Sequence, residues 1–190
     1  MQTEATKKLF TVDEYYKMAE IGILPDHIRT ELINGEIIEM SAMGARHASS
    51  VSRITEFLVP LLKGRAQLRP QLPLRLNDYN EPMPDFCFVR PRLDFYGRKH
   101  PGAGDTLLAI EVSDTSLRYD RDVKAGVYAS TRVQEFWIVD LTGDVLLVFR
   151  EPSKGAYKSS LELHRGESVS LLAFPEINIE VAELLGPAAE

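Results

Sequence analysis

Leu107-Leu108-Ala109-Ile110-Glu111-Val112, then residues 120–130, then Glu135-Phe136-Trp137-Ile138-Val139-Asp140 form the stretch on which the fold turns. The two outer runs have the length and apolar content of buried strands. Between them, Val123 and Val127 mark one side of a helix of roughly ten residues. A strand, a helix and a second strand make the crossover of an α/β unit.

Working outward, Gln71–Leu76 and Asp85–Val89 read as two further strands. Residues 45–63 read as the longest helix, with Val51, Ile54, Leu58, Leu61 and Leu62 as its apolar stripe. His47 extends that stripe at the helix start, and Pro60 kinks or opens the last turn. Nearer the N-terminus, Thr11 and Glu14 form a capping-box pair ahead of Tyr15, Met18 and Ala19, and Gly22 and Pro25 end that helix. Asn34-Gly35, between the runs Glu31-Leu32-Ile33 and Glu36-Ile37-Ile38, signals a β-hairpin. A C-terminal hairpin is expected from Val145–Arg150 and Ala156–His164, followed by short apolar segments to Leu185. The whole order reads as an α/β (α+β) chain, a mixed β-sheet flanked by helices.

The chain has 190 residues, the size of one ordinary domain spanning 1–190 with its core at about 10–185. Cys87 is the only cysteine, which excludes an internal disulfide and fits a reducing compartment. Its apolar setting, Phe86-Cys87-Phe88-Val89, predicts an inert buried thiol. Met1-Gln2-Thr3-Glu4 opens no signal pattern and no apolar run spans a membrane, so a cytoplasmic protein is expected. The net charge of −6 argues against a nucleic-acid coat protein. That charge is local, however. Residues 133–190 hold four Lys/Arg against ten Asp/Glu, and residues 1–132 are balanced.

Two acids stand where core strands should be apolar. Asp85 opens one strand after Pro84, and Glu111 lies near the C-terminal end of the next. A carboxylate in such a place is costly unless it faces water, finds a partner or binds a metal. Two converging carboxylates suit a hard cation, Mg²⁺ or Mn²⁺, that takes oxygen ligands and keeps several waters. His27, His47, His100 and His164 have no zinc-ligand spacing. No P-loop, GxSxG or GxGxxG pattern occurs, so no organic cofactor is expected.

Taken together, Glu31-Leu32-Ile33-Asn34-Gly35-Glu36-Ile37, His47, Gln71-Leu72-Pro73-Leu74, Pro84-Asp85, Ile110-Glu111-Val112-Ser113 and Asp120-Arg121-Asp122-Val123-Lys124 with Tyr128 resemble the Uma-two family. These are bacterial proteins described as putative restriction endonucleases. The resemblance implies a restriction-endonuclease-like PD-(D/E)xK core. Asp85 and Glu111 would then bind the metal, with the Val112 carbonyl as a further ligand. Ser113 occupies the usual lysine position, a departure from the superfamily pattern. The resemblance implies that the lysine has moved to the following helix as Lys124. Asp120, Lys124 and Tyr128 fall at i, i+4 and i+8, on one helix face. Glu31 would be a further acid near the metal, or else an exposed hairpin residue. His47 is expected either to meet a phosphate, to bond Glu31, or to sit in the core. Gln71 is a candidate site residue or an exposed strand residue.

The implied activity is Mg²⁺-dependent hydrolysis of DNA phosphodiester bonds by a homodimer. Two alternatives stand beside it: an inactive dimeric module of the same fold that binds nucleic acid or regulates, and a hydrolase of small phosphoesters. Arg90, Arg92, Arg98, Lys99 and His100 flank the loop between the acid-bearing strands and suggest phosphate contacts or plain solvated charge. Phe95-Tyr96 in that loop would stack on a base or cover a core edge.

Overall fold

In the computed structural model, β5 (Thr106–Ser113) and β6 (Glu135–Asp140) lie side by side and parallel, with Glu111 opposite Ile138. The crossover read from the sequence therefore forms. The structure describes residues 6–25 and 27–187, and the tetrapeptide Met1–Glu4 lies outside the described residues. Around the parallel pair the sheet extends antiparallel in both directions. Its order is β3 (Gln67–Pro70), β4 (Phe86–Val89), β5, β6, β7 (Val145–Ser153) and β8 (Ala156–Leu163). The single parallel pair makes the sheet mixed.

Both faces of the sheet are covered. One face carries Phe86, Phe88, Leu108, Ile110, Trp137 and Val139. It packs against α2 (Ala45–Leu61), α5 (Val181–Leu185) and the hairpin of β9 (Ser168–Leu171) with β10 (Phe174–Glu180). The other face carries Cys87, Ala109, Phe136 and Ile138 under Ala125 and Tyr128 of the crossover helix. Double burial explains why β4 and β6 read as unbroken apolar runs rather than alternating ones.

The N-terminal helix α1 (Val12–Glu20) closes with the full capping box: Glu14 N–H donates to Thr11, and the Glu14 carboxylate accepts from Thr11 N–H. The hairpin of β1 (Thr30–Ile33) and β2 (Glu36–Glu39) turns at Asn34-Gly35. Gly35 has φ +75°, and an added Cβ would meet Leu9 Cβ at 2.7 Å, so the turn needs glycine twice over.

Three expectations are corrected. Gln71–Leu76 is not a strand; β3 ends at Pro70 and the chain runs on as an irregular loop. Gln71 adopts φ +50°, and Pro73, Pro82 and Pro84 lack the N–H groups a ladder needs. Leu61 is 38% exposed, on the outer side of α2 near Pro60, and does not join the buried stripe. The crossover helix is not uniformly α. It runs as α3 (Leu117–Tyr119), a π turn (Asp120–Lys124) and α4 (Ala125–Ser130).

Candidate functional site

β4 and β5 pair Phe86 with Ile110, so the register sets Asp85 opposite Glu111 at the sheet end. Residues directly opposed in an antiparallel pair project to the same face. The two acids therefore meet. Glu111 Oε2 accepts from the Asp85 N–H at 3.4 Å, and Asp85 Oδ2 accepts from the Val112 N–H at 2.8 Å.

The crossover helix delivers the cation. Lys124 Nζ lies 3.0 Å from Glu111 Oε1 and 3.1 Å from Glu31 Oε2. Tyr128 Oη donates to Glu111 Oε1 at 3.0 Å. In the π turn, the Ala125 N–H reaches back five residues to the Asp120 carbonyl. Both Asp120 and Lys124, 4% exposed each, thereby turn inward. Ser113 does not stand in for a lysine. It is fully buried, with its Oγ 3.3 Å from that of Ser116, which in turn donates to Asp120 Oδ2 at 2.6 Å.

Two further residues reach Asp85. Arg46 bonds Asp114 at 3.0 Å and the Leu141 carbonyl, which pins the start of α2 to the sheet end. Its neighbour His47 then bonds Asp85 Oδ2 through Nε2 at 3.0 Å. His47 thus meets Asp85, not Glu31 as one expectation had it. Gln71 Nε2 donates to Asp85 Oδ1 at 3.1 Å. Its left-handed backbone makes this reach possible, and held strain of this kind gathers at functional sites.

Charge is the salient property of this centre. Glu31, Asp85, Glu111 and Asp120 are between 2% and 7% exposed, yet among the described residues only Lys124 and, when protonated, His47 oppose them. Burial, aided by the neighbouring acids, pushes the Glu111 carboxyl well above its usual range despite Lys124. Burial likewise raises Asp120. Desolvation pulls Lys124 downward, but Glu111, Glu31 and Asp120 outweigh it and raise it. Those three acids therefore favour its ammonium form. Burial opposes ionisation of Asp85 too, but the bonds from His47, Val112 and Gln71 prevail and lower it.

Asp120 was not singled out from the sequence as a site residue, although its place four residues before Lys124 was the available signal. The loop after β4 lies apart from this centre. It leaves the sheet at Val89, the far end of the strand from Asp85, roughly 13 Å away along four residues. Arg90 and Arg92 are thus remote from the acids; Arg92 pairs with Asp94 at 2.9 Å. Tyr96 is buried under Arg92, whereas Phe95 is 70% exposed.

Among the described residues no three His, Cys, Asp or Glu side chains form a ready-made metal cage. The donors that meet here are the Asp85 and Glu111 carboxylates, which are oxygen ligands. That set fits a hard divalent cation that keeps much of its water. The surplus of buried negative charge fits it as well, because the cation would offset what Lys124 leaves unbalanced.

A family model, Uma2, described as "Putative restriction endonuclease", matches residues 12–182. No curated protein matches. Among solved structures, the chain is similar to the crystal structure, at 1.96 Å resolution, of a putative nuclease belonging to DUF820 from Anabaena variabilis ATCC 29413. The TM-score is 0.68 at 17% identity, covering 93% of this chain and 97% of that one. At that identity the likeness carries the fold. No helix among the described residues is long and apolar enough to cross a membrane.

Proposed function

Because the chain belongs to the Uma2 family of putative restriction endonucleases, we propose that it is a divalent-metal-dependent endonuclease that hydrolyses DNA phosphodiester bonds. The observation that carries this reading is the meeting of Asp85 and Glu111 from separate strands beside the buried Lys124 ammonium.

Asp85, Glu111 and the Val112 carbonyl would hold Mg²⁺ or Mn²⁺. Such a cation supplies Lewis acidity toward water and toward a phosphoryl oxygen. Lys124, fixed by Glu111 and Glu31, orients the attacking water and faces the charge that builds on phosphorus. Its acidic neighbours favour the ammonium form, which suits it to orienting water rather than to taking a proton. Glu31 acts through Lys124, since its Oε2 also accepts from the Met83 N–H at 3.1 Å and cannot swing freely. Tyr128 and Gln71 hold the two carboxylates in place. His47 steadies Asp85 and lies near enough to the sheet end to meet a phosphate. Attack is in line, with displacement of the 3′ or 5′ oxygen. Two copies acting on opposite strands would cut a duplex, and the eight-residue edge strand β8 offers a surface for such a homodimer.

The test is cleavage of plasmid and single-stranded DNA by purified protein with Mg²⁺, Mn²⁺ or EDTA. Metal-dependent cleavage that disappears in Asp85→Ala and in Glu111→Ala is expected. Equal activity in these variants rejects the assignment. A second reading has its own support: Asp85 and Glu111 each already accept from several chain donors, so the centre is self-contained as a binding module. Calorimetry with no heat at millimolar Mg²⁺ or micromolar Mn²⁺ would favour that module.

A further inference from the structure

A cavity of about 260 Å³ opens beside the centre, between α1, the segment before β1 and the loop before β4. Tyr15, Tyr16, Ala19, Arg29, Glu81 and Met83 are among its lining residues. The two tyrosine rings meet edge to face at 5.8 Å, and Tyr15 Oη is tied to the Thr30 carbonyl at 2.9 Å. Glu81 is the unusual member. It is 2% exposed, held by a backbone bridge to Leu32. Its Oε1 accepts from Tyr16 Oη at 2.7 Å, but its Oε2 is buried with no hydrogen-bond partner among the described residues. A buried carboxylate oxygen without a donor is costly, and because Glu81 lines the cavity, a ligand N–H that reached this oxygen would relieve that cost.

The cavity is one hydrogen bond away from the catalytic residues on two sides. Met83 donates its N–H to Glu31. Arg29 donates to the Gln71 side-chain oxygen at 3.1 Å and to its carbonyl at 3.3 Å, and Gln71 holds Asp85. Among the described residues Arg29 bonds only these neutral groups, which leaves its charge available to a phosphate. An aromatic and apolar wall, one acceptor and an intervening cation form the outline of a nucleotide unit: base, then phosphate, then the scissile bond.

We propose that this cavity takes an unstacked nucleobase next to the scissile phosphate, and that Glu81 Oε2 selects a base bearing an exocyclic amine. This rests on the nuclease reading for its context. Cytosine, adenine and guanine offer an exocyclic amino donor to a carboxylate, whereas thymine offers only its ring N–H, flanked by two carbonyl oxygens that a carboxylate repels. A duplex hides that edge, so the occupied strand is single or locally opened.

The experiment measures binding first. Fluorescence anisotropy in EDTA compares labelled ten-nucleotide dC and dA strands with dT, using wild type, Glu81→Gln and Ala19→Trp. Glu81→Gln keeps the acceptor for Tyr16, and Ala19→Trp fills the cavity from an exposed position; circular dichroism establishes the folding of each. Wild type should bind dC and dA about tenfold or more tighter than dT. Each variant should reduce that ratio to below about threefold. Equal binding of all strands by wild type, or an unaltered ratio in both folded variants, overturns the proposal. Cleavage of plasmid is assayed in parallel. Metal-dependent cleavage without base preference sinks the cavity and spares the nuclease. Base preference without cleavage upholds the cavity and sinks the nuclease.

Discussion

Two buried acid clusters lie on opposite sides of the molecule, and they differ in one respect. Glu135, fully buried, accepts from Arg150 at 2.6 and 2.8 Å, from Trp137 Nε1 at 3.0 Å and from the Leu172 N–H at 2.7 Å. One carboxylate meets one guanidinium, and every oxygen has donors. That cluster ties the β9–β10 hairpin to the sheet, and its charge is balanced. The cluster around Lys124 gathers four carboxylates for one ammonium. Burial and hydrogen bonding alone do not separate a fastening from a working centre, since both clusters have them. Under the proposed function, the charge left over does.

The sharpest break between the two should come from neutralising one acid in each. Glu111→Gln is expected to lower metal-dependent cleavage about a thousandfold while keeping or raising the melting temperature in EDTA, because it removes surplus charge. Glu135→Gln should leave cleavage per folded molecule unchanged but destabilise by about 3 kcal/mol in urea titrations, because Arg150 loses its partner. If Glu111→Gln melts early in EDTA, the surplus-charge argument fails. Lys124→Met comes next. Removing this buried ammonium should cost about 3–5 kcal/mol of folding stability. Adding Glu31→Gln to that variant should restore part of the loss, a coupling that a double-mutant cycle reads directly.

A smaller effect lies in pH. The bond to Asp85 raises the His47 pKa above its ordinary 6.5, although burial opposes it. A base with a raised folded value stabilises fully below the unfolded value, and that stabilisation fades as pH rises through the folded one. Metal-free wild type should therefore lose on the order of 1 kcal/mol relative to His47→Asn as pH climbs from 6 to above the raised value. A parallel pair of stability profiles removes the claim. Trp137→Phe should show the least, about 1 kcal/mol for one lost bond to Glu135, with no change in cleavage.

Much of this contrast was legible in the chain itself. Asp85 and Glu111 stood out because a charge in an apolar run has few explanations, and Lys124 because helical spacing aligned it with Asp120 and Tyr128. The strands β5 and β6 were readable because both faces are buried and the apolar runs are unbroken. What stayed hidden depends on backbone detail. Gln71 was read as a strand residue because propensity does not foresee a left-handed residue between prolines. The distance of the loop 90–105 from the acids was not legible either, because adjacency in sequence does not tell which end of a strand a loop leaves. The balanced role of Glu135 needed Leu172, 37 residues away, which no local pattern announces.

The widened turn at Asp120–Lys124 carries a genetic consequence. Loss of one codon there would rewind the segment as ordinary α-helix and rotate everything before it by about 100° relative to Tyr128. Asp120 would no longer share an inward side with Lys124 and Tyr128 Oη. Substitutions on the exposed residues Arg121 and Asp122 should pass unnoticed, whereas a shortened reading frame in that window should not.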